Sequence, residues 1–155
     1  MKEEKRWISS KYLFSAISDQ LAENRQAVFT VTGMSMWPLL CHGRDQVIVE
    51  RIERDKLKLG DIILFRITDE KYILHRITYM SDSFFQTTGD GNLFRDMQMP
   101  YECIVAKVQK IVRNGKVVEC DERKWRILSR IWMKLFPIRK WIFRVWFSVR
   151  KFVRS

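Results

Sequence analysis

A chain of 155 residues, 46% hydrophobic and 30% charged, is long enough for one folded core and too apolar to be disordered. Its net charge of +11 is uneven: residues 121–155 hold eleven Lys and Arg against two acids, and the first 120 residues are close to neutral. A basic tail on a near-neutral domain points to an anionic partner for the tail and not for the domain, and no run approaches the roughly 20 apolar residues of a spanning helix.

The N-terminus, Met1 to Arg6, is charged and is not followed by the apolar stretch of a secretory signal, so no signal peptide is expected. From Ser9 to Asn24, apolar Tyr12, Leu13, Ala16, Ile17 and Leu21 recur at steps of three and four. That period predicts an amphipathic helix capped by Ser9 or Ser10, within an N-terminal helical segment over 1–26. The period then changes. β-rich runs follow at Ala27–Thr32, Gln46–Glu50, Asp61–Ile67, Tyr72–Tyr79, Ser83–Thr88, Ile104–Val112 and Lys116–Cys120, the last pair joined by the hairpin signal Asn114-Gly115. Seven short strands over 27–120 predict a mostly-β domain with a rolled or barrel-like sheet. Residues 121–155 form a third segment, rich in Trp, Phe, Ile and Arg, where Pro137 divides helical stretches Arg123–Phe136 and Ile138–Val153 into two helices or one kinked one.

Three positions carry candidate chemistry. Ser35 follows a strand, between Gly33 and Pro38, in a segment too constrained for a regular helix. Gly33 permits close approach of a substrate chain, and Met34, Met36 and Trp37 can wall off water and meet substrate side chains. A serine hydroxyl needs a base to become a nucleophile, and Ser35 equally fits a plain turn cap. His75 is the candidate base, sharing a strand face with Ile73 and Ile77 by period two, a setting that also suits a hydrogen-bonded core histidine. Gly89-Asp90-Gly91-Asn92 reads as a turn, and Asp90 and Asp96 are both available to orient an imidazole. His42 receives no role. Cys41, Cys103 and Cys120 have no ligand or disulfide spacing, which suits a reducing compartment and predicts no metal.

Taken in order, Ser35-Met36-Trp37-Pro38, Gly60-Asp61-Ile62-Ile63, His75-Arg76 and Gly89-Asp90-Gly91-Asn92 with Asp96 resemble the boxes of type I signal peptidases. The likeness runs from about Val31 to Asp96. It is closest to the branch with a histidine base, found in endoplasmic-reticulum, archaeal and some Gram-positive members. The resemblance implies a Ser-His-Asp centre: Ser35 nucleophile, His75 general base, Asp96 the orienting acid and Asp90 in support. It also implies an extended peptide substrate with small residues before the cleaved bond. Two features depart from the family. The usual N-terminal transmembrane anchor has no counterpart in Met1–Ala27, and Met34 and Trp37 stand where smaller or acidic residues are usual.

The tail supplies a substitute anchor. Trp125, Trp132, Trp141, Trp146 and four Phe residues are interleaved with its bases, a composition suited to the interface of an anionic membrane. A tail packed on the domain or on a partner protein is the other arrangement, and aromatics this dense do not suit nucleic acid. The expectation is therefore a serine endopeptidase without metal or organic cofactor, cleaving a leader or signal peptide from a precursor protein. It would attach peripherally through residues 123–155, at the cytoplasmic face. Two alternatives are a membrane signal peptidase anchored by its tail or a partner subunit, and a non-catalytic peptide-binding adaptor.

Overall fold

A computed structural model describes residues 10–154, so the Ser9 cap lies outside the described residues. Helix α1 (Ser10–Ala22) lays Ile17 and Leu21 into the core, as its apolar steps require. Seven strands follow: β1 (Ala27–Thr30), β2 (Asp45–Glu50), β3 (Ile62–Thr68), β4 (Lys71–Met80), β5 (Phe85–Thr88), β6 (Ile104–Arg113) and β7 (Lys116–Glu119). Every pairing is antiparallel. The order is β1-β2-β6-β3-β4-β5, with β7 also paired to β6, so the mostly-β expectation holds as one open antiparallel sheet with helices at both ends of the chain.

β6 is the axis of this sheet. Its ten residues pair with β2 on one side and, on the other, first with β3 and then with β7 through the Asn114-Gly115 turn. β3 is buried on both faces. Ile62 and Leu64 enter a cluster with Ile17, Leu21, Val47 and Val108, whereas Ile63 and Phe65 enter a second one with Ile77, Phe85 and Tyr101. A run of consecutive apolar residues, and not an alternating one, is what a strand between two such layers needs.

Two strand ends differ from the sequence expectation by two residues, and most of the others by one. β1 stops at Thr30: Val31 N–H still reaches the Asp45 carbonyl (2.8 Å) in register, but the return bond is lost, since Asp45 N–H donates to the Cys41 carbonyl (3.2 Å) and the Val31 carbonyl accepts from Gly43 N–H (2.9 Å). β5 begins at Phe85 because Ser81 folds its own turn: its hydroxyl and N–H both donate to the Phe84 carbonyl.

The tail forms α2 (Arg123–Lys134) and α3 (Arg139–Arg154), separated by a 3-10 turn over Phe136–Ile138 that contains Pro137. These are two helices, the break falling where proline removes a donor. α2 is part of the domain: Trp125 joins the main core cluster, and Ser129 and Trp132 are buried.

Candidate active site

The segment from Gly33 to Leu40 turns back on itself. Gly33, at φ +81°, donates its N–H to His42 Nδ1 (2.9 Å), Trp37 N–H reaches the Met34 carbonyl (3.1 Å), and Leu40 N–H reaches the Met36 carbonyl (2.9 Å). His42, given no role from sequence, thus pins the start of the loop that carries Ser35. The second anchor comes from the glycine-rich turn. Gly91 N–H donates to the Ser35 carbonyl at 2.8 Å. A Cβ on Gly89 would stand 2.5 Å from the Ser35 carbonyl oxygen, and one on Gly91 2.5 Å from that of Met34. Only glycine lets these two boxes meet, so both residues are fixed by close approach.

β4 delivers His75 and Arg76 to opposite sides. His75 is 6% exposed, with its ring edge-on to Phe65, and its Nδ1 lies 2.6 Å from Asp96 Oδ2. The same carboxylate oxygen accepts the Thr87 hydroxyl (2.6 Å). Asp96 is held by its main chain too, which donates to the Thr87 carbonyl (2.9 Å) and accepts from Gln86 Nε2 (2.9 Å). Burial on its own would raise the Asp96 pKa, but the hydrogen bonds from His75 and Thr87 outweigh it and hold the carboxyl below its ordinary value. An ionised carboxylate can only accept, so the shared proton sits on His75 Nδ1 and leaves Nε2 free to take another.

Asp90 is elsewhere. Arg76 grips it with two bonds of 2.8 Å, from Nε and Nη2, and both side chains are almost fully buried. Arg76 Nη1 also reaches the Gly60 carbonyl and Ser129 Oγ, each at 2.8 Å, so one guanidinium ties the two Gly-Asp turns to α2. Trp132 Nε1 donates to the Asp90 carbonyl (3.0 Å), and Arg139 Nη1 to those of Gly89 (3.2 Å) and Asn92 (3.1 Å). Asp90 is therefore the brace of the glycine turn and makes no hydrogen bond to His75. Asp61 plays the corresponding part in its own box, bonded to Lys58 N–H (2.9 Å) and Arg126 Nη1 (2.7 Å).

Ser35 and His75 line one cavity of about 280 Å³, with Phe14, Val31, Met36 and Tyr72 among its walls. No hydrogen bond joins Ser35 to His75 across it. Of the four residues expected to meet substrate, Met36 lines the cavity while also sitting in the core at 2% exposure. Gly33 and Met34 lie outside the lining, Met34 being 60% exposed. Trp37 faces away: its ring packs against Phe143, Trp146 and Phe147 of α3 at centroid distances of 5.5, 6.1 and 6.0 Å. Phe14 of α1 was not foreseen as a wall. It stacks on Tyr72 at 4.4 Å, and the helical period that marks it as amphipathic carries no sign of which strand it will cover.

Among the described residues no cluster of three or more His, Cys, Asp or Glu is placed to hold a metal ion. All three cysteines are free, and burial pushes the Cys120 thiol up to about 12, which keeps it a protonated, unreactive core residue. Compared with protein-family models and with curated proteins, the chain matches none.

Proposed function

We propose that this chain is a serine endopeptidase, resembling the histidine-type signal peptidases, that removes a leader or signal peptide from a precursor protein. The observation that carries the reading is the part-buried His75–Asp96 pair at 2.6 Å, whose histidine lines a cavity that Ser35 also lines. In this mechanism Asp96 holds the His75 tautomer and stabilises the imidazolium. His75 Nε2 removes the Ser35 proton as Oγ attacks the peptide carbonyl, then returns it to the leaving amine; water hydrolyses the acyl-enzyme by the same route. No step calls for a metal or an organic cofactor.

The substrate would lie extended along β1, an edge strand whose continuation, Val31 and Thr32, lines the cavity. A rolled sheet of the signal-peptidase kind belongs to this reading. It is supported by the way Phe29 of β1, at one edge, and Val31 and Thr32 just beyond it share a cavity with Tyr72 and His75 of β4, far along the strand order.

A second reading, a peptide-binding adaptor without catalysis, is favoured by the missing Ser35–His75 hydrogen bond. Catalytic contacts in empty sites are often long and close only around substrate, so the bond's absence does not decide the matter. Labelling with a fluorophosphonate probe and cleavage of a peptide library with small residues before the scissile bond do. Ser35→Ala should abolish labelling, and Ser35→Ala or His75→Ala should each lower the cleavage rate by roughly 10⁴-fold or more. Cleavage that survives both substitutions overturns the assignment, and an unlabelled chain that still binds the peptides is the adaptor.

A further inference from the structure

α3 contacts the domain through one side, and its other side is exposed. Phe143 and Phe147 face Trp37, whereas Ile138, Trp141, Val145, Val149 and Phe152 recur at steps of three and four on the opposite side. These five are 50%, 62%, 63%, 55% and 83% exposed, a continuous apolar stripe along the helix and the turn before it. Isolated exposed apolar residues are ordinary; a stripe of this length marks a surface with a partner.

The charge around the stripe indicates which partner. α3 has six bases and no acid, and Lys140, Arg144, Arg150, Lys151 and Arg154 are all exposed: Arg144 lies over the Trp141 ring (5.0 Å) at the edge of the stripe, whereas Arg150, Lys151 and Arg154 share the Phe147 side. A protein partner, or a second copy pairing through the same stripe, would bring these cations against one another or need a matching set of acids. An anionic lipid surface answers both features at once: acyl chains take the stripe, and headgroups take the long basic side chains that reach towards it from the rest of the helix. Tryptophan on the stripe suits that boundary. Leu93, Phe94 and Met97 are exposed as well, on the loop that runs from Asn92 past Asp96. That loop meets the α2–α3 junction, where Arg95 covers the Phe136 ring (5.5 Å) and Arg139 holds the Asn92 carbonyl. Among the described residues no helix is long and apolar enough to cross a membrane, so α3 would lie along the surface.

We propose that α3 is an interfacial helix that docks flat on an anionic bilayer through the Ile138–Trp141–Val145–Val149–Phe152 stripe. The two tryptophans of α2 take no part, both being buried. Because α3 packs on Trp37, two residues from Ser35, docking holds the domain against the lipid surface.

The test is flotation of the full chain with vesicles of phosphatidylcholine alone and of phosphatidylcholine mixed with phosphatidylglycerol. The protein should bind the mixed vesicles at least about tenfold more tightly than the neutral ones, and lose that preference at high salt. Trp141→Ser with Val149→Ser should weaken binding by about tenfold or more, and Lys140→Glu with Arg144→Glu by a similar factor, with unchanged thermal melts. Equal binding to both vesicle types, no binding at all, or wild-type binding by the stripe variant overturns the proposal. A stripe-dependent dimer in sedimentation without vesicle binding overturns it in favour of self-association. Vesicle binding is read without substrate and peptide cleavage without vesicles, so failure of either leaves the other standing.

Discussion

α2 and α3 are nearly the same in composition and opposite in fate. Both are acid-free, rich in Arg and Lys, and carry two tryptophans each. Yet Trp125 and Trp132 of α2 are 8% and 9% exposed, whereas Trp141 and Trp146 of α3 are 62% and 52% exposed. The difference lies in polar partners. Trp132 buries its ring because its N–H finds the Asp90 carbonyl, Ser129 meets Arg76, and Arg126 meets Asp61. α3 has one comparable polar anchor to the domain among the contacts described, Arg139 at its first residue, and ring contacts from Phe143, Trp146 and Phe147 to Trp37 and from Phe143 to Trp132. Hydrophobic content makes a helix eligible for burial; complementary hydrogen-bonding groups on the facing loops decide which helix is buried.

The comparison breaks most readily at Arg76. Arg76→Met leaves the Asp90 carboxylate buried without its cation and removes the link to Ser129, so unfolding in urea should show a loss of roughly 3–5 kcal/mol. A loss below about 1 kcal/mol would mean that α2 is not bound to the glycine turn through this residue. Next, Trp132→Ala should cost about 3–5 kcal/mol and Trp132→Phe about 1 kcal/mol, the difference separating ring packing from the single bond to Asp90.

Asp96 sharpens the contrast from outside, because its side-chain partners are His75 and Thr87 and not a tail helix. Its folded pKa is depressed, so it contributes stability above its unfolded value near 4, and that contribution is lost as pH falls below about 4 towards the folded value. Asp96→Asn should flatten part of this acid limb in pH-dependent melts. Asp45, whose own tendency to rise on burial is overcome by Arg113 and Arg44, should keep the remainder. If Asp96→Asn left the acid limb untouched, the His75–Asp96 bond would not persist in solution. The smallest effect belongs to α3: Val145→Ser should move stability by no more than about 0.5 kcal/mol, as expected of an exposed side chain. A larger loss would mean that the stripe is covered within the molecule and that the two helices are more alike than their exposures indicate.

Much of the fold was legible locally. Period two on β4 places His75 with Ile73 and Ile77 beside the second core cluster, Asn114-Gly115 marks the last hairpin, and Pro137 marks the break in the tail. One further signal went unused. Neighbouring residues on a strand point to opposite faces, so His75 and Arg76 must take different acids. With Arg76 always charged and able to grip a carboxylate with two donors, one aspartate was bound to be claimed by it.

By itself, then, the sequence determined the order of the elements, the strand face of His75 and the chemical types present at each box, because these follow from periods of two and 3.6 and from turn residues. Tertiary structure alone decided that Asp96 meets His75, that Asp90 joins Arg76, that Trp37 turns to α3, and that one half of the tail is core and the other is not. Each of those outcomes is a pairing across many residues, settled by which buried donor reaches which acceptor, and no local period encodes such a match.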